Sequence, residues 1–247
     1  MPAIPPATEL VDPPSGGRTV TRTRSVRLGD VDDRGRLRLD ATARYLQDVA
    51  TDDTAASGLG DGFNWVVRRT MIEVRRAAGL DEHLELTTFC SGIGRSWAER
   101  RTSISGERGA SIETASLWIR IDPISGRPTG LDDRFLEIYG PAGGRKVSTR
   151  LRLPAPSEHA ARRAWPLRRV DIDPLRHVNN AVHWTIVEET LPEGSRRGVG
   201  EIEYLAPIDP DAELVLASST GDAGDRLSWL VNGATALTAA RWTPVAR

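Results

Sequence analysis

Asp171-Ile172-Asp173-Pro174-Leu175-Arg176-His177-Val178-Asn179-Asn180 gathers two carboxylates, an imidazole and two carboxamides directly ahead of the amphipathic segment Ala181 to Leu191. The pattern occurs once before, displaced by 141 residues. Asp30 falls on Asp171, Val31 on Ile172, Asp32 on Asp173, Leu37 on Val178, Leu46 on Val187 and Asp48 on Glu189. Repetition at a fixed interval marks an internal duplication. The chain therefore reads as one unit built twice.

Working outward, each copy runs into the same succession of elements. In the first, Ser25 to Leu28 alternates like a strand, and Leu39, Ala43, Leu46, Val49 and Ala50 then line one face of a helix. Strands are predicted at Trp65 to Val74, Leu84 to Cys90, Ser96 to Ser105 and Ser111 to Asp122. After the second helix come Val199 to Leu205, Glu213 to Ser218, Arg226 to Asn232 and Ala236 to Trp242. One helix on one antiparallel sheet leaves apolar edges bare, and two such halves bury them by joining their sheets side by side. The expected class is thus α+β, two repeats of a long helix against an antiparallel sheet. Residues 21–122 and 165–247 form the two domains, joined by 123–164, which is rich in Pro, Gly and Arg and has little periodicity.

With 39% hydrophobic and 27% charged residues and a net charge of −1, bulk charge points to neither nucleic acid nor an anionic membrane. Of the 33 basic residues only Lys146 is a lysine, and no arginine patch stands out by spacing. Cys90 is the single cysteine, which excludes an intramolecular disulfide and a thiolate metal cluster; its place among Leu84, Leu86 and Phe89 suggests a buried structural thiol. No metal, nucleotide or redox motif is present, so no cofactor is expected. Residues 1–20, proline-rich and without an apolar run, are expected to be a disordered tail rather than a signal peptide or membrane span, in a cytoplasmic protein.

The quoted stretch also has chemical content. Asn180 is placed as an N-cap, which sets the polar cluster at a helix N-terminus. Free amides there favour the negative charge that develops on an attacked acyl carbonyl. The first copy is an internal control: it keeps Asp30 and Asp32 but has Arg36 in place of His177, and Arg38 and Leu39 in place of the asparagines. An arginine cannot shuttle protons, so that copy reads as the degenerate partner.

These motifs, with the Trp65 to Val74 strand and Asp122-Pro123-Ile124-Ser125-Gly126-Arg127-Pro128, resemble the acyl-ACP thioesterases, double hot-dog enzymes that hydrolyse fatty acyl chains from acyl carrier protein. The likeness extends from about Thr21 onward. Its most specific piece, the Asp171/Asp173 pair followed by His177-Val178-Asn179-Asn180, is shared with hot-dog acyl-CoA thioesterases.

By this resemblance Asp173 and His177 are the catalytic aspartate and histidine. The family asparagine falls on Leu175, and the family Glu-Cys pair falls near Pro207 and Ile208, so a thiol mechanism at that place is ruled out. What is left is a carboxylate mechanism, with Asp173 as nucleophile or as base for water and His177 orienting or donating a proton. Backbone amides of Val178, Asn179 and Asn180 would hold the thioester carbonyl. Trp65 and Trp184 are candidates for the acyl tunnel wall, and Glu189 for a supporting role behind the reacting groups. The substrate would be an acyl carrier protein thioester, or a CoA thioester as a close variant, acted on by a monomeric double hot-dog or a homodimer. A non-catalytic acyl-binding protein with a retired site is the main alternative. A hot-dog dehydratase ranks last, since no His-x-x-x-x-Pro pattern is present.

Overall fold

The computed structural model describes residues 9–60, 65–192, 194–195, 197–221 and 224–245. Its strands are β1 (Thr19–Ser25), β2 (Trp65–Arg76), β3 (His83–Ile93), β4 (Trp97–Gly106), β5 (Ser111–Arg120), β6 (Ala161–Ala164), β7 (Gly198–Tyr204), β8 (Leu214–Thr220), β9 (Arg226–Asn232) and β10 (Thr235–Pro244). All ten lie in one antiparallel sheet of order β1-β3-β4-β5-β2-β7-β10-β9-β8-β6. The middle of the sheet is the β2–β7 pairing, from Arg69 opposite Glu203 to Val74 opposite Gly198. Outward from that seam the order is β5-β4-β3-β1 on one side and β10-β9-β8-β6 on the other, the same succession counted along each half of the chain.

Helix α1 (Leu39–Ser57) lies on one face and ends where Gly58 turns left-handed, at φ +71°. Its Leu39, Ala43, Leu46 and Val49 bury against Ile72, Leu86, Ile104 and Ile112 of the sheet. The second half contributes Val178, Trp184, Ile186, Val187, Ile202 and Trp242 to the same core. Here the expectation of two long helices fails. Ala181 to Leu191 forms only a 3-10 turn over Val182–Trp184 and a single turn, α3 (Thr185–Glu188). Ile186 and Val187 still point into the core, so the apolar face is kept while the length is not.

Because side chains alternate along a strand, the opposite face of the sheet carries Arg69, Glu99, Arg101, Glu201, Glu203 and Arg241, all buried. Charges are tolerated there because they are paired: Arg241 with Glu201, Arg145 with Glu99, and Arg101 with Glu113 at 2.5 Å. One stretch, residues 148–154, crosses this face. Arg69 donates to Ser148 O at 2.9 Å, the Glu203 carboxylate accepts the Arg152 and Leu153 amides at 2.6 and 3.1 Å, and the Trp229 indole donates to Pro154 O. Burial holds the Glu203 carboxyl above its ordinary range, against those two amides.

Residues 123–164 are therefore more than a featureless connection. They contain α2 (Asp133–Tyr139), the strap at 145–154, and β6, which pairs with β8. Part of the expected N-terminal tail is ordered as well: Arg101 holds Val11 O at 2.7 Å, Arg145 holds Glu9 O at 2.8 Å, and Thr19 and Val20 already belong to β1. Residues 1–8 lie outside the described residues. Among the described residues no helix is long and apolar enough to cross a membrane.

Candidate active site

The two copies of the quoted stretch form the same turn. In the second, the Asp173 amide donates to His177 O at 2.9 Å and the Arg176 amide donates to Asp173 O at 2.9 Å. Oδ1 of Asp173 accepts the amides of Leu175 at 2.9 Å and His177 at 3.3 Å. In the first, Asp32 N donates to Arg36 O, Gly35 N to Asp32 O, and Asp32 Oδ1 accepts the amides of Arg34 and Arg36. Both turns need a left-handed residue: Gly35 supplies it at φ +74°, Arg176 at φ +62°. Upstream, Asp171 accepts the Arg168 amide and pairs with its guanidinium, as expected of a turn-forming acid.

Beyond the turns the copies diverge. Arg36 is nearly buried and ringed by acid: its Nε donates to Asp32 Oδ2 at 2.9 Å and its Nη2 to Glu188. Burial alone would raise the Asp32 carboxyl, but the Arg36 amide and guanidinium together hold it below the ordinary carboxylate range. That copy has no uncommitted acid–base pair. His177 instead stands 43% exposed, and Asp173 Oδ2 meets no protein donor among the described residues.

The amides expected to hold a carbonyl are not equivalent. Val178 N donates to Ile208 O at 2.9 Å and Asn179 N to Asp171 O at 2.8 Å, so both are spent on the fold. Among the described residues no acceptor faces the Asn180 amide. The expected cap at Asn180 does not form: the N-cap of the 3-10 turn is Ala181, no side chain caps it, and Asn179 Oδ1 accepts the Ala181 amide at 2.8 Å in a turn just ahead of it.

Asn180 lines a narrow pocket between α1 and the sheet, whose free volume in this conformation is about 30 Å³, room for little more than a water molecule. Ala43, Leu46, Gln47 and Ala50 of α1 form one wall, and Val67, Thr70, Ser116 and Trp118 form the floor. Asn180, Trp184 and Tyr204 close it from the second half. Trp184 lines this pocket. Trp65 does not: its ring packs on Phe135 of α2, 5.2 Å between centroids, in a separate cluster. Trp118 is the tryptophan on the pocket floor. Glu189 makes an exposed ion pair with Arg163 at 2.9 Å. Cys90 is buried, and burial pushes its thiol up to about 11.

Sequence reasoning missed Gln47, whose side-chain amide donates to Asn179 Oδ1 at 3.1 Å and ties α1 to the pocket rim. It sits 141 residues before Glu188, so the repeat could have flagged it. His183 was missed too. It is fully enclosed, with Nδ1 2.7 Å from the Thr238 hydroxyl and its ring edge-on to Tyr204. Burial drives its pKa down to about 4, against a backbone hydrogen bond to Val178.

Residues 17–139 match the acyl-ACP thioesterase N-terminal domain and residues 155–219 the acyl-ACP thioesterase C-terminal domain. The chain belongs to the acyl-ACP thioesterase family. An uncharacterized protein of Mycobacterium tuberculosis is 30% identical over 227 residues, 90% of this chain and 91% of its own. Among solved structures, the 12:0-ACP thioesterase from Umbellularia californica superposes with a TM-score of 0.77 at 22% identity, covering 92% of this chain and 98% of that one. An acyl-ACP thioesterase from Bacteroides thetaiotaomicron gives 0.78 at 17%, covering 91% and 97%. At these identities the structural likeness speaks for the double hot-dog fold.

Proposed function

We propose that this family member releases free fatty acid from acyl carrier protein by water attack at the mouth of the α1 pocket. The observation that carries the reading is the rim: the turn with a half-exposed imidazole and a carboxylate oxygen free of protein donors among the described residues runs directly into Asn180, which lines an apolar pocket. The acyl chain enters between Ala43, Leu46, Ala50 and Val67 as α1 draws away from the sheet, and the thioester carbonyl meets the Asn180 amide. Asp173, held at Oδ1 by two amides, uses Oδ2 to take a proton from water. The hydroxyl adds to the carbonyl, the C–S bond breaks, and the departing thiolate takes the proton that Asp173 collected, with His177 orienting the water. A thiolate leaves readily, so little acid assistance is needed. The sheet reads as two fused hot-dog repeats, the first shaping the pocket and the second carrying the chemistry.

The test is thiol release from chain-matched acyl-ACP and acyl-CoA panels by wild type and His177→Ala. Faster release from acyl-ACP, lost in the variant, supports the reading. Faster release from acyl-CoA changes the carrier and keeps the chemistry. No release from either panel, with acyl binding retained, replaces hydrolysis with acyl binding.

A further inference from the structure

Asp173 is not the acid that faces the His177 ring. Among the described residues the carboxylate within 4 Å of that imidazole belongs to Asp209, whose Oδ1 lies 3.9 Å from Nε2. We propose that Asp209 is the positioning residue for His177, and that it holds the imidazole in the orientation and tautomer used at the site described above. The role rests on the hydrolase reading; the pairing does not.

The chain places Asp209 with some care. It follows β7 in the run Pro207-Ile208-Asp209-Pro210. Ile208 is fully buried and its carbonyl accepts the Val178 amide at 2.9 Å, which pins this loop directly beside the His177 turn. Pro210 confines the backbone of Asp209 to extended conformations, and the Asp209 carbonyl then accepts the Ala212 amide at 3.1 Å. The carboxylate is thereby presented from a stiff loop rather than a mobile one.

The first copy supplies an independent observation. There Leu37 N donates to Ala78 O, as Val178 N does to Ile208 O, and the next residue is Gly79. Gly79 bridges to Arg36, the residue in the place of His177. The copy with an imidazole has a carboxylate opposite it; the copy with a guanidinium has no side chain there at all. Imidazole and acid are present together or absent together.

Other charged groups near His177 do not take this role. Asp173 spends Oδ1 on the backbone amides of Leu175 and His177, and Arg176 is a cation on the adjoining residue. Asp209 is 72% exposed, so the 3.9 Å separation can close to a hydrogen bond without rearranging the core. A carboxylate accepting from Nε2–H leaves Nδ1 as the bare nitrogen. A bound carrier or thioester covering this rim would remove water from the pair and strengthen it.

The experiment compares wild type, Asp209→Asn and Asp209→Glu by steady-state thiol release from acyl-ACP and by ¹⁵N NMR of the His177 ring. In the expected result Asp209→Asn lowers kcat by about tenfold with KM unchanged, Asp209→Glu restores most of it, and the ring signals move away from the Nε2–H tautomer only in the Asn variant. Unchanged kcat and an unchanged His177 spectrum in Asp209→Asn would overturn the proposal, as would a loss of kcat that Asp209→Glu does not repair. If wild type releases no thiol, the hydrolase reading fails and the spectrum decides: a His177 signal indifferent to Asp209→Asn refutes the pairing, and one that shifts upholds it.

Discussion

Glu188 and Arg36 are joined across the two halves of the chain, the carboxylate Oε2 against the guanidinium Nη2. The other oxygen of Glu188 accepts the Leu39 amide at 2.5 Å and so closes the first turn of α1. Gln47, 141 residues earlier, reaches from α1 to Asn179 at the start of the second-half turns. Each half thus supplies a side chain that ties down the segment at the start of the other's helical turns. Glu188→Gln leaves Arg36 nearly buried with Asp32 as its remaining acid, and should cost roughly 2–3 kcal/mol of stability. Denaturant unfolding reads the loss, and kcat should stay within twofold, since Glu188 serves the copy without acid–base chemistry.

Asp173 combines a turn with a charge, and Asn separates the two. An Asn at 173 keeps an oxygen for the Leu175 and His177 amides but cannot accept a proton from water. Asp173→Asn should therefore lose roughly 10²–10⁴-fold in kcat while its unfolding midpoint hardly moves. Asp32→Asn is the control on the matching turn: thiol release persists and stability falls, because Arg36 loses part of its pairing. Near-normal release by Asp173→Asn would reduce Asp173 to a turn former.

Arg176 adopts φ +62°, a conformation that costs a residue with a Cβ roughly 1 kcal/mol or more. Gly35 fills the same corner in the first copy without that cost. Arg176→Gly should raise stability by about 0.5–1 kcal/mol, measured by thermal or denaturant unfolding. A destabilised variant would mean that the arginine side chain contributes more than its backbone strain.

His183 makes stability depend on pH. Its folded pKa of about 4 lies below the ordinary 6.5, so between these values the unfolded chain binds the extra proton. The contribution is complete above pH 6.5 and is lost as the pH falls toward 4; the whole amounts to about 3 kcal/mol. His183→Gln should flatten this part of the profile, starting from a lower stability at neutral pH. Parallel slopes for wild type and variant would show that His183 is not the group responsible.

The strands were legible because each alternates apolar and polar residues between clear turn signals, and β2 to β5 and β7 to β10 fall within a few residues of their predicted spans. The entry strand was not: β1 ends at Ser25, where the prediction begins, because Thr19–Ser25 is polar and gains its order by pairing with β3. The strap at 145–154 has no periodicity to detect. It is held by Arg69, Glu203 and Trp229, residues 50 or more positions away in sequence.

By itself the sequence determined the class of fold and the family, and it singled out Asp173 and His177 as candidates, since these rest on local spacing and on side-chain chemistry. Tertiary structure decided how those groups are committed. It spent Asp173 Oδ1 and the amides of Val178 and Asn179 on the turn and on Ile208, left Asn180 open at the pocket, and brought Asp209 rather than Asp173 to the imidazole. A hydrogen-bonding group can be read from one residue, but whether it is already satisfied depends on a partner that only the folded chain brings near.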